Sequence, residues 1–242
     1  MAKITSSGQI KGTVGPVSYR SINGQAIVQS RPGTIKQSKA TKASGFDFGR
    51  ASRTSKAIRT ALFPVLRDFE DSAFYRRFTG LVTKATLAAN SGISGRRILK
   101  DGDLSLLANT DCNNSSPFSR YCLVEVHGGI ENHRMSLSLP AFDIKQQLVQ
   151  LPNATHATLC YLVVAINPET LAETHAEMFE LPLSFTAVST EAVAWLTGPL
   201  PENQLLVIAS AIFYFRKNKL AGMIGQNSRD FHPCEITAVL LT

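Results

Sequence analysis

The chain has 242 residues, 44% of them apolar and 18% charged, a composition that excludes a disordered or membrane-embedded protein and allows one large domain or two small ones. Its formal net charge of +7 is unevenly spread: residues 1–100 hold 18 Lys+Arg against 4 Asp+Glu, and the remainder holds 7 against 14. The basic half is suited to nucleic acid or to an acidic protein surface, and every copy of the chain carries such an acidic surface itself.

The opening residues contain no apolar run that could serve as a signal-peptide core. The strongest later run, residues 205–215, is too short to cross a bilayer and reads as a buried strand, so a cytoplasmic protein is expected, without membrane association. Cys112, Cys122, Cys160 and Cys234 are dispersed and form no C-x-x-C pair, which points to reduced thiols in the core.

In chain order, the first element is a hairpin within residues 15–33, GPVSYRSINGQAIVQSRPG. With Asn23-Gly24 at the centre of a type I′ turn, Ile22 opposes Gln25, Arg20 opposes Ile27, Tyr19 opposes Val28 and Val17 opposes Ser30. Alternation then puts Val17, Tyr19, Ala26 and Val28 on one apolar face and Ser18, Arg20 and Gln29 on the other. A lone ribbon is marginal in water, so this face needs cover, from its own chain or from a neighbour. Residues 31–44, polar and basic, read as a tether with an extended reach of roughly 40 Å. Gly8, Gly12 and Gly15 read as bends in the arm.

Helical spacing follows over roughly residues 51–89. Ile58, Leu62, Val65, Leu66 and Phe69 form one stripe, in which Pro64 either kinks a helix or opens a second one. Phe74, Phe78, Leu81, Val82 and Ala85 form another, which fades at Asn90-Ser91-Gly92. Glu70-Asp71, between the stripes, suits capping rather than acid–base chemistry. Beyond Gly95 the pattern is of strands, at 121–127, 134–140, 157–166, 177–185, 204–215 and 235–242, with a further hairpin from 204–215 to 220–224 through the basic tip Arg216-Lys217-Asn218-Lys219. The expected fold is therefore mainly β with an N-terminal helical segment (α+β). Residues 1–44 form a hairpin arm and tether, 45–95 two consecutive helices, and 96–242 an antiparallel β-sandwich of immunoglobulin-like or related kind.

No catalytic or metal constellation emerges. The five histidines, His127, His133, His156, His175 and His232, lack the spacing of metal ligands, and no phosphate loop, dinucleotide fingerprint or nucleophile elbow is present, so no cofactor is expected. Trp195, the single tryptophan, offers a stacking surface for a glycan or peptide but reads more simply as core.

The run G-x-x-x-G-x-V-G-x-V-x-Y-R-x-x-N-G-x-x-x-x-x-S-R-P from Gly8 to Pro32, with a basic linker and a helical region after it, resembles a Bacteroidota family of unassigned role. The resemblance implies an N-terminal arm on a β-rich body. It implies no activity and carries over no functional residue.

The expected function is a non-enzymatic structural or interaction protein that self-associates head to tail, with Val17, Tyr19, Ala26 and Val28 as the dry contact and Arg20 and Arg31 steering it. The alternative is a nucleic-acid-binding accessory protein that uses Lys36, Lys39, Lys42, Arg50, Arg53, Lys56 and Arg59 for phosphates and nearby Phe46 and Phe48 for stacking.

Overall fold

The computed structural model describes residues 1–22, 24–31, 36–89 and 93–242. The chain divides into two compact units, Met1–Lys42 and Ala43–Thr242. The first is an antiparallel meander of β1 (Lys3–Ile4), β2 (Ile10–Val14), β3 (Val17–Ile22) and β4 (Gln25–Ser30), lying side by side in chain order. Between β3 and β4 the pairing runs from Val17↔Ser30 through Tyr19↔Val28 to Ile22↔Gln25, the register that the spacing predicts. Of the expected turn, Gly24 has the positive φ of 81° that a primed turn needs, while Asn23 lies outside the described residues.

The predicted ribbon is thus half of a larger sheet. Gly12, which reads as a bend, sits inside β2 and pairs with Tyr19. A Cβ at Gly12 would stand 2.6 Å from the Met1 carbonyl oxygen, so a glycine is required where the first residues pass over it. The β2–β3 link is Gly15-Pro16. Gly15 has φ of 54° and proline cannot take a positive φ, which makes this a II′-like connection matched to strand twist.

The expected tether is shorter than its composition suggests. α1 spans Lys39–Ala61, so residues 39–44 are helical, and residues 32–35 lie outside the described residues. Ser38 caps the helix, its Oγ accepting the Thr41 N–H at 3.1 Å. α1 also starts 12 residues before the predicted boundary at 51, because Asp47 supplies an anchor that no apolar ladder announces. Its carboxylate, 2% exposed, accepts the N–H groups of Gly95 (2.9 Å) and Arg97 (3.1 Å).

Pro64 opens a second helix, α2 (Phe63–Leu66), and α3 follows at Phe74–Leu87. The expected stop at Asn90-Ser91-Gly92 lies outside the described residues. Asp71 does not cap α3, whose N-cap is Ala73 with no side-chain cap, but it braces the approach to the helix: Oδ1 accepts the Ala73 N–H at 2.8 Å and Oδ2 the Asn114 N–H at 2.9 Å, while both oxygens hold Arg77. Buried Ser55 and Thr79, hydrogen-bonded at 3.0 Å, join α1 to α3.

The rest is mostly β. After β5 (Thr110–Asp111) and a helical turn, α4 (Phe118–Tyr121), come β6 (His127–Glu131), β7 (Arg134–Leu139), a second turn α5 (Ile144–Gln147), β8 (His156–Ile166), β9 (Glu173–Ser184), β10 (Val193–Leu196), β11 (Leu205–Asn218), β12 (Gly222–Gly225) and β13 (Cys234–Leu241). One antiparallel sheet has the order β5-β13-β11-β8-β9, with β12 also on β11, and another the order β10-β7-β6.

The long apolar runs of β8 and β11 follow from burial on both sides. Cys160, Leu162 and Val164 share a core with Ile58, Leu62, Phe74 and Phe78 of the helices. Their alternates Leu159, Tyr161 and Val163 share another with Met135, Leu137 and Leu139 of β7. Helices thus cover one face of the large sheet and the small sheet covers the other.

Two strand expectations are corrected. Residues 121–127 are not a strand: α4 occupies Phe118–Tyr121, and the next stretch hydrogen-bonds to α5 through Leu123 N–H to the Gln147 carbonyl (2.8 Å) before β6 starts at His127. In the basic hairpin, Arg216, Lys217 and Asn218 belong to β11 rather than to the tip. The Asn218 side chain accepts the N–H groups of Leu220 and Ala221 and closes the turn one residue later.

Candidate functional site

The residues expected to carry self-association lie on the N-terminal sheet. Tyr19 and Val28 are directly opposed, Val17 and Ala26 follow on the same face, and Val28 is 61% exposed. Arg20, opposite Ile27, faces the other way, and the Arg31 N–H donates to the Pro16 carbonyl at 2.5 Å. Ile4, Ile10 and Val14 are also exposed, so the sheet has apolar side chains without an apolar interior of its own.

The alternative set is strung along α1. Lys36 precedes it, Lys39 and Lys42 occupy its first turn, and Arg50, Arg53, Lys56 and Arg59 continue it. Arg50 is paired with Glu169 at 3.0 Å, and the Arg59 guanidinium stands 4.6 Å from the Tyr75 ring centroid. Phe46 and Phe48, the rings expected to stack, are exposed.

A third site was not legible as a motif. Asp111 on β5 opposes Glu235 on β13, Glu235 opposes Ser210 on β11, and Ser210 opposes Tyr161 on β8. Partners in antiparallel register point to the same side, so four polar side chains form one row across the sheet. β13 carries an extra residue beside this row, since Ala209 pairs with Ile236 and Ile208 with Ala238. The bulge presents Thr237, whose Oγ1 is 2.5 Å from the Ser210 hydroxyl.

The row floors a cleft of about 460 Å³, walled by Phe118, Cys122, Val124 and His127. Asp111 ties floor to wall, its Oδ1 accepting the Phe118 N–H at 2.8 Å. Tyr161, a lining residue, is fully buried, and its hydroxyl has no hydrogen-bond partner. Burial pushes the Tyr161 hydroxyl well up from its ordinary value. Burial, with repulsion from Asp111 and then Cys234, pushes the Glu235 carboxyl up to about 7.

The signal that could have found this site is one of misplaced polarity. Ser210 interrupts LLVIASAIFYF and Glu235 interrupts CEITAVLL, strands whose other residues are apolar or small.

The remaining reactive groups have structural partners. All four cysteines are free and buried, and burial together with neighbouring Cys234 raises the Cys112 thiol well above its ordinary range. His232, fully buried, donates from Nε2 to the Val65 carbonyl at 2.7 Å and accepts the Asn227 amide at Nδ1, 2.9 Å away. Trp195 stacks on Phe179 with ring centroids 5.7 Å apart and leans on Tyr161, which makes it part of the inter-sheet layer. Among the described residues no helix is long and apolar enough to cross a membrane.

Comparison of the chain with family models, curated proteins and solved structures yields no match.

Proposed function

We propose that this chain is a non-enzymatic structural or interaction protein that self-associates through its N-terminal sheet. The observation that carries this reading is the character of the first unit. Residues 1–42 hold seven Lys+Arg and no Asp or Glu. They expose Ile4, Ile10, Val14 and Val28 from a sheet with no interior to bury them. Such a module gains by placing one face on another surface, and its charge favours an acidic one. Residues 101–242, with 7 Lys+Arg against 14 Asp+Glu, supply that charge on every other copy. The body serves as the platform. Facing antiparallel sheets with a shared apolar layer support an immunoglobulin-like reading of it.

Light scattering of the full chain and of a chain lacking residues 1–36, which keeps the Ser38 cap, tests the proposal. The full chain should exceed its monomer mass of 26.3 kDa and the shortened one should not. Equal masses would remove the sheet from the joint.

The second reading, nucleic-acid binding along α1, draws on exposed Phe46 lying with Arg50 and Arg53 along one cleft. Glu169, paired to Arg50 at 3.0 Å and to Lys100 at 3.6 Å, works against it by neutralising that cleft. Retention on single-stranded DNA or RNA at low salt, lost in Arg53→Glu, would favour it.

A further inference from the structure

We infer that the cleft above the Asp111–Glu235–Ser210–Tyr161 row binds a small organic ammonium ion, with its apolar body against Phe118 and Val124. This site is independent of the N-terminal sheet. Two separate observations meet in it. Asp111 and Glu235 are direct cross-strand partners, a like-charge placement that costs stability unless a proton or another cation answers it. Tyr161, fully buried, lines the same cleft, and its hydroxyl has no protein partner. An unpaired buried hydroxyl is costly and calls for a ligand atom or water to complete it.

The chemistry of the walls narrows the occupant. Among the described residues that line the cleft there is no Lys or Arg, so an anion finds no counter-charge. A hard metal ion wants about six oxygen ligands, whereas Phe118, Cys122, Leu123, Val124 and Val126 make one side apolar. A primary ammonium has three N–H donors, which Glu235, Asp111 and the Tyr161 oxygen can accept. The volume of about 460 Å³ falls within the range for metabolite-sized ligands.

Protonation gives the site a pH signature. Glu235, pushed up to about 7, is partly protonated near neutrality. The titratable groups that share its cleft are Asp111 from β5, Tyr161 from β8, and Cys122, Glu125 and His127 from the wall. A cation arriving beside Glu235 drives out its proton, so affinity rises with pH through this range.

Calorimetry of the full chain with 2-phenylethylamine and, separately, with the uncharged isostere 2-phenylethanol tests the assignment. The amine should bind and the alcohol bind at least tenfold more weakly. Glu235→Gln should lower amine affinity at least tenfold, and Tyr161→Phe severalfold. Should a variant fail to fold, the unaltered chain decides: its affinity for the amine should rise between about pH 6 and pH 8. Absence of amine binding in the millimolar range, equal binding of amine and alcohol, or an affinity indifferent to both pH and Glu235→Gln would overturn the inference.

Discussion

Glu235 stands between Asp111 and Ser210 on a sheet face covered by the 118–127 segment, and burial holds its proton up to about 7. A carboxyl raised above its unfolded value of 4.5 contributes stability that is complete below 4.5 and is lost as pH climbs through about 7. Denaturant melts should therefore show the chain losing on the order of 2 kcal/mol at this group between mildly acid and mildly alkaline pH, after allowance for its partial exposure. Glu235→Gln should cancel that part of the slope, and an unchanged slope would remove Glu235 as its source. Asp71 has the opposite sign. Burial alone would raise it, but the Asn114 N–H, the Arg77 guanidinium and the Ala73 N–H together lower it below 3.8. Its stabilisation is present above that value and is lost as pH falls through the lowered one. Asp71→Asn should cost about 2 kcal/mol at neutral pH and blunt the acid limb of the same curve. Sequence spacing was enough to place Asp71 at a helix start. It could not show Glu235 beside Asp111, because their pairing depends on a register between segments more than 120 residues apart.

At the scale of elements, α1 and α3 rest on contacts of different visibility. The stripe Phe74, Phe78, Val82, Ala85 is periodic and buried, and it was legible for that reason. The first half of α1 contains Gly45 and Gly49 and shows no such stripe, and composition alone assigns its residues 39–44 to a tether. Asp47 supplies what periodicity lacks, by accepting two N–H groups from the chain around Gly95 and Arg97. Asp47→Ala should strand those donors and cost about 2–3 kcal/mol. Amide exchange should locate the loss in residues 39–50, and uniform loosening of the whole helix would contradict the assignment. The end of α3 carries a steric counterpart. Gly102 passes so close to Ala85 that an added Cβ would stand 2.2 Å from its carbonyl oxygen, an atom that also accepts the Asp103 N–H at 3.1 Å. Gly102→Ala should force this turn off the helix and lower stability by about 2 kcal/mol or more, measurable by thermal melting. β8 and β11 were legible as strands because continuous apolar runs imply two covered faces, but which layer covers which face was not.

For the molecule as a whole, the first unit is purely cationic, while the second divides further into a basic stretch up to residue 100 and an acidic one beyond it. Residues 1–42 carry seven cations and no anion, three of them (Lys3, Lys11 and Arg20) on the sheet itself, while residues 43–242 carry 18 Lys+Arg and 18 Asp+Glu. This constrains how copies would associate. Two such units brought sheet to sheet would set +7 against +7, and within each sheet Lys3 already opposes Lys11. Placing the sheet of one copy on the acidic C-terminal part of another turns the same charge into attraction, which makes a head-to-tail contact the favoured joint. Added salt separates the two arrangements, because screening weakens attraction and repulsion alike, with a Debye length that shrinks from about 10 Å at 0.1 M to about 3 Å at 1 M. Head-to-tail assembly should dissociate as salt rises over that span. Sheet-to-sheet assembly should tighten. Mass by light scattering across the salt series, repeated with Val28→Asp to remove the apolar contact, reads the difference directly. A mass that grows with salt would count against the head-to-tail joint, whose electrostatic attraction screening can only weaken.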